Sequence, residues 1–291
     1  MRSVLIKTSI LFILFFQVSC SSWNAKTPDL KELQKQLTWS PDRKLWVSAH
    51  RGGPSPGFAE NCIPTFEKTS KLGLLMIECD VRVSKDSVLV FSHDEEMGRT
   101  HSVSEGKVSD YTLNELRKVK LKDDAGNLTE SGIPTLDEVL EWAKGKALLT
   151  LDVKRGVPFK MVTDKIKEHQ AEGYALFITY SVEDAMKVHF LHPGVMISVV
   201  IQNLTEWKTF RESGIPTNMI TAFVGIKEPE PALYDSLHAN KILAALGVFN
   251  EDKVAEQGGD TVYAGFFKRG ADILATDRPE AVMKVITRGQ W

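Results

Sequence analysis

The feature that most limits how this chain can fold is a recurrence. Short apolar runs rich in β-branched residues alternate with helix-like stretches over most of its length. The runs lie at 45–49, 74–83, 147–153, 175–180, 195–201, 219–224, 242–247 and 272–276. Their apolar character is nearly continuous, the pattern of strands covered on both faces. Residues 135–144 open Thr-Leu-Asp-Glu after Pro134, and residues 181–190 open Ser-Val-Glu-Asp. Both are helix-start signatures, in which a hydroxyl caps the first turn. Strand–helix repetition means a parallel sheet with helices packed on it. Eight such units over about 245 residues fit a closed (β/α)8 TIM barrel, with a doubly wound open sheet as the competing architecture.

One run breaks the alternation. Residues 88–92 follow the second strand after only Ser84-Lys85-Asp86-Ser87. A parallel neighbour needs a crossover of a dozen or more residues, so this run must return antiparallel as a hairpin. The return brings His93 back toward the level of Glu78 and Asp80. Residues 94–134 then form a long excursion, expected to be a functional or mobile loop.

In such a barrel, reacting groups stand at the C-terminal strand ends. The first strand stops at His50-Arg51, the second carries Glu78 and Asp80 in MIECDVRV, and the third carries Asp152 and Lys154 in LTLDVK. Strand parity puts Glu78 with Asp80, and Asp152 with Lys154, on common faces. Buried carboxylates are costly unless paired or coordinated. Three of them converging suit a hard divalent cation, Mg²⁺ or Ca²⁺, with salt bridges to Arg51, Arg82 or Lys154 as the bland alternative. His50 and His93 flank this pocket and suit acid–base work near neutral pH. Arg51 and Lys154 beside a metal call for an anion, and a phosphate ester meets that need. The remaining histidines lie in loops or on helices and carry no role. Cys62 and Cys79 are expected as buried free thiols.

Charge narrows the partners. A net charge of −2 over 291 residues, with both signs interspersed, offers no basic face for nucleic acid. The N-terminus reads as an export signal. Arg2 and Lys7 precede an apolar run at 10–16, too short to span a membrane, and small residues lead to Cys20. The layout implies a signal peptide at 1–19 and a lipid-anchored Cys20, although Gln17 stands where such lipoboxes usually have Leu. A plain cleaved signal or an uncleaved anchor is the alternative. The expected organisation is then a tether at 20–44, polar over 24–37, and one barrel domain at 45–291. The location is the periplasm or cell envelope, with membrane contact only through the N-terminus.

The ordered set HRG with EN, IECDVRVSKDSVLVFSHDEEMGRT, IPTLDEVL, LTLDVK and GADILATDRP resembles the glycerophosphodiester phosphodiesterases from about residue 45 to 288. The resemblance implies a TIM-barrel enzyme that cleaves glycerophosphocholine, glycerophosphoethanolamine or similar small diesters to glycerol 3-phosphate and an alcohol. It implies His50 and His93 as general base and acid, Glu78, Asp80 and Asp152 as metal ligands, and Arg51 and Lys154 as phosphate holders. Asn61 matches a family Asn that either lines the site or holds its loop. Three departures stand out: Asp152 replaces the usual Glu, ILAALGVFN lacks the Trp that often marks the seventh strand, and the loop at 53–59 reads GPSPGFA ahead of Glu60-Asn61. A phospholipase-type phosphodiesterase of the same fold is the second reading. A non-catalytic binding lipoprotein is the third.

Overall fold

The computed structural model describes residues 29–73, 75–289 and 291. The expected signal peptide at 1–19 and Cys20 lie outside the described residues. The strands are β1 (Trp46–Ala49), β2 (Met76–Val83), β3 (Leu89–Phe91), β4 (Lys120–Lys122), β5 (Leu128–Gly132), β6 (Leu148–Val153), β7 (Ala175–Thr179), β8 (Met196–Val200), β9 (Ile220–Phe223), β10 (Ala244–Gly247) and β11 (Ile273–Thr276). Eight of them pair in parallel around a ring, β1-β2-β6-β7-β8-β9-β10-β11, and β11 returns to β1 with Trp46 opposite Ile273. The molecule is a (β/α)8 TIM barrel, and each expected apolar run supplies one barrel strand.

Burial explains the near-continuous apolar runs. All six residues of β6, LLTLDV, are buried, because one face meets the barrel interior and the other meets helices. Each fully buried Leu contributes about 1.5–3 kcal/mol by leaving water. The helices begin where the hydroxyl caps stand. Thr135 Oγ1 accepts from Glu138 N at 3.2 Å, while Thr135 N donates to Glu138 Oε2 at 2.8 Å. Ser181 Oγ accepts from Asp184 N at 3.1 Å and starts the helix Val182–Leu191. Cys62 and Cys79 are free and buried, as expected.

The hairpin also forms as expected. β3 runs antiparallel to β2 with Val81 opposite Phe91, and Ser92 N donates to Asp80 O at 3.0 Å. That bond sets His93 beside the middle of β2.

Two expectations need correction. Residues 94–134 are not a loop but a small folded insertion. They carry a 3-10 turn, the helix Leu113–Leu116 and the antiparallel pair β4–β5. Met97, Val108, Leu116 and Leu121 bury a separate apolar cluster with Ala59 and Cys62, which gives the segment its own reason to fold. The second correction is at the N-terminus. From Asp29 on, the stretch expected as a free polar tether is packed. Asp29 caps the helix Leu30–Gln36, whose Leu33 joins Leu37 in the main core. Gln34 donates to Met219 Sδ, and Trp39 N to Lys241 O, just ahead of β9 and β10. The helix therefore lies at the N-terminal end of the barrel, opposite the mouth.

Candidate active site

The site begins with a backbone that only a few residues tolerate. After β1, the turn His50–Gly52 holds Arg51 at φ 52°, and Gly52 and Gly53 follow at φ 85° and 78°. A Cβ on Gly52 would stand 2.3 Å from the Phe66 ring, so glycine is required there. Arg51 in the left-handed region costs on the order of 1–3 kcal/mol, tolerated where surroundings over-determine it. The turn is fastened by Arg51 N, which donates to Glu78 Oε2 at 2.7 Å. Asn61, also left-handed at φ 57°, ties the following loop to β2. Its Nδ2 donates to Asp80 Oδ2 at 2.6 Å and its Oδ1 accepts from Asp80 N at 2.9 Å. The loop-holding role is thus visible in its bonds.

Glu78, Asp80 and Asp152 converge. Each offers an oxygen, and these oxygens lie within 4.8 Å of one another. Register explains the meeting, since Asp80 pairs with Asp152 across β2 and β6. Lys154 Nζ sits between them, 2.6 Å from Asp80 Oδ1 and 2.5 Å from Asp152 Oδ2. Three carboxylates against one ammonium leave an excess of negative charge. Burial, then repulsion from Asp80, pushes the Glu78 carboxyl well above its usual range. Burial also acts to raise Asp80, but the Lys154 ammonium outweighs it and the carboxyl is lowered. Asp152 Oδ1 is buried with no hydrogen-bond partner. An oxygen-only donor set with an orphaned carboxylate oxygen fits a hard divalent cation.

His50 lines the cavity beside Glu78 and Asp152, the hairpin carries His93 to the level of Asp80, and each ring is held by an aspartate. His50 Nδ1 lies 2.7 Å from Asp277 Oδ1, just past β11, and His93 Nδ1 lies 2.7 Å from Asp94 Oδ1. A carboxylate on Nδ1 fixes the ring and leaves Nε2 for chemistry. A charge relay of side chains joins the second pair to Arg51. Arg99 donates to Asp94 and, through two nitrogens, to Glu60, and Glu60 also accepts from Arg51 Nη1 at 3.0 Å. Partial burial acts to raise Asp94, but Arg99 and His93 prevail and lower it to about 2. Beside the trio opens an apolar cavity of about 190 Å³, whose lining includes His50, Glu78, Asp152, Tyr180, Phe223 and Phe249. The Phe249 ring packs 4.6 Å from that of His50, on the side where the expected tryptophan is missing.

The structure therefore brings together all eight residues singled out in the sequence. Asp277, Asp94, Glu60, Arg99 and Tyr180 were missed. Asp277 was open to discovery, because the strand-end rule applied to LATDRP places it at the mouth.

Comparison with known proteins bears on this geometry. The glycerophosphoryl diester phosphodiesterase family matches residues 50–209, which span β1's end through β8. The chain belongs to that family. It is 36% identical over 173 residues to the glycerophosphodiester phosphodiesterase of Caldanaerobacter subterraneus subsp. tengcongensis, covering 55% of this chain and 68% of that one. The crystal structure of a glycerophosphoryl diester phosphodiesterase from Parabacteroides distasonis superposes with a TM-score of 0.86 at 32% identity, covering 90% of this chain and 93% of that one. An Oleispira antarctica phosphodiesterase, solved with the product sn-glycerol-3-phosphate, shares the fold with a TM-score of 0.65 at 18% identity, over 83% of this chain and 96% of that one. The family makes this chain a phosphoric diester hydrolase acting on glycerophosphodiesters.

Proposed function

We propose that the enzyme hydrolyses small diesters such as glycerophosphocholine or glycerophosphoethanolamine to glycerol 3-phosphate and an alcohol. Glu78, Asp80 and Asp152 would hold one divalent cation, Mg²⁺ or Ca²⁺. The observation that carries this reading is the buried oxygen trio with its partnerless Asp152 Oδ1, set beside two aspartate-held histidines. When bound, the cation supplies Lewis-acid neutralisation of charge on the phosphoryl oxygens.

The chain's own residues do the rest. Arg51 and Lys154 hold the phosphate by charge and hydrogen bonding. One histidine, assigned as His50, takes the proton of the glycerol hydroxyl next to the phosphate. That oxygen bonds to phosphorus, the bond to the alcohol breaks, and His93 gives its proton to the departing oxygen. A cyclic phosphate results. Water then opens it with the two histidines exchanging roles, so both return to their starting protonation. The tethered hydroxyl supplies proximity, and the preset cations lower the cost of charge build-up. Asn61 keeps Asp80 aimed, and Phe249 and Phe223 offer an apolar wall for one end of the substrate.

Export and lipidation at Cys20 complete the proposal, supported by the basic, apolar and small-residue order of 1–20. The packed helix Leu30–Gln36 lies at the end of the barrel opposite the mouth, so an anchor there leaves the mouth open to soluble diesters. Fatty-acid labelling lost in Cys20→Ala supports the anchor, and labelling that persists refutes it. The catalytic proposal is tested by measuring glycerol 3-phosphate release from wild type, His50→Ala and His93→Ala. Activity surviving both substitutions overturns the histidine assignment.

A further inference from the structure

Tyr180 has no part in the mechanism above, yet it reaches the centre of the site. It follows directly on β7, whose Ile178 pairs with Asp152 of β6. Residues 178 and 180 share a parity, so both side chains face the barrel interior. The next residue, Ser181, caps the helix Val182–Leu191. The backbone at Tyr180 is thus pinned between a strand end and a helix cap. The residue is 63% exposed at the mouth, while its hydroxyl donates to Asp152 Oδ2 at 2.7 Å.

The two oxygens of Asp152 are treated unequally. Oδ2 takes both the Tyr180 hydroxyl and the Lys154 ammonium, at 2.7 and 2.5 Å. Oδ1 is buried and takes nothing. A carboxylate gripped by one oxygen has its rotation about the terminal bond removed. Without the Tyr180 hydroxyl, Oδ2 keeps only the ammonium of the flexible Lys154 side chain, and the short Asp side chain is freer to turn.

We infer that Tyr180 is a positioning residue for the divalent cation: it fixes Asp152 by Oδ2 so that Oδ1 alone is presented as the ligand oxygen. This rests on the metal reading proposed above. Groups behind a metal ligand that hold its orientation typically govern affinity by 10- to 100-fold.

The test is calorimetric titration of Mg²⁺, and separately Ca²⁺, into chelator-treated full-length protein. The variants are Tyr180→Phe, which removes the hydroxyl and keeps the exposed ring, and Tyr111→Phe. Tyr111 is a control, since its hydroxyl also makes one hydrogen bond, to Glu105 O within the 94–134 insertion and not to any of the three carboxylates. The expected result is a Kd raised roughly 10- to 100-fold in Tyr180→Phe and unchanged in Tyr111→Phe. Activity of Tyr180→Phe should recover as the cation is raised to saturation, which a merely structural defect would not allow. Wild type and Tyr180→Phe binding with equal affinity overturns the positioning role while leaving the metal site standing. Wild type binding neither cation overturns the metal reading and the inference with it.

Discussion

Two buried aspartates at opposite ends of the barrel make an instructive pair. Asp272 stands at the entry to β11, at the closed N-terminal end. It accepts from Arg43 Nε, from Ala244 N at 2.8 Å and from His238 Nε2 at 2.9 Å. Both of its oxygens are satisfied. Asp152 stands near the end of β6, at the open mouth, and one of its oxygens is satisfied while the other is orphaned. A buried carboxylate is costly in either place. At the closed end the fold surrounds it completely and gains a clasp that ties the N-terminal segment to the barrel. At the mouth the fold leaves Asp152 Oδ1 buried and unpaired.

The comparison can be broken by substitutions whose effects it assigns to different observables. The largest expected effect is on catalysis at the mouth. His50→Ala and His93→Ala should each lower kcat/KM by about 10²- to 10⁴-fold, the usual worth of a positioned acid or base. Thermal denaturation should change little, since both rings are partly exposed and each is hydrogen-bonded to a single aspartate. Next is stability at the closed end. Asp272→Ala leaves Arg43 and His238 without their shared partner and should cost about 3–5 kcal/mol, read by urea denaturation. Specific activity of the folded fraction should be unchanged. Similar losses of activity in Asp272→Ala and the histidine variants would erase the division between the two ends.

A smaller effect concerns pH. Glu78 has a folded pKa raised above its unfolded value, first by burial and then by Asp80. Its contribution to stability is therefore fully present below the unfolded pKa, about 4.3, and is lost as pH rises through the folded pKa. In chelator at neutral pH, Glu78→Gln should be more stable than wild type, because the variant carries no buried charge there. A bound divalent cation reverses the sign, because it favours the ionised carboxylate that the variant lacks. Denaturation midpoints across pH 4 to about 8, with and without Mg²⁺, check both halves of this statement.

Much of the mouth is legible in the sequence because it depends on local rules. Parity alone placed Glu78 with Asp80, and Asp152 with Lys154. The shortness of residues 84–87 forced the hairpin that returns His93. What stayed hidden depends on pairings remote in sequence. Asp277 reaches His50 across the closure of the barrel, and Tyr180 meets Asp152 through the register of β6 and β7. The insertion at 94–134 is not legible in the sequence because its strands are short and polar, KLK and LTESG, and its helix is a single turn, LNEL. None of these gives a periodic apolar signal. The N-terminal helix LKELQKQ hid for a related reason, since Leu33 is its one buried residue.

The central claim is that the carboxylates at the mouth are incomplete without a divalent cation. Glycerol 3-phosphate release from glycerophosphocholine and glycerophosphoethanolamine, by protein stripped with chelator and then given Mg²⁺ or Ca²⁺, tests it most directly. Stripping should abolish release, and at least one of the two cations should restore it. Undiminished release from the stripped enzyme in excess chelator would contradict that claim.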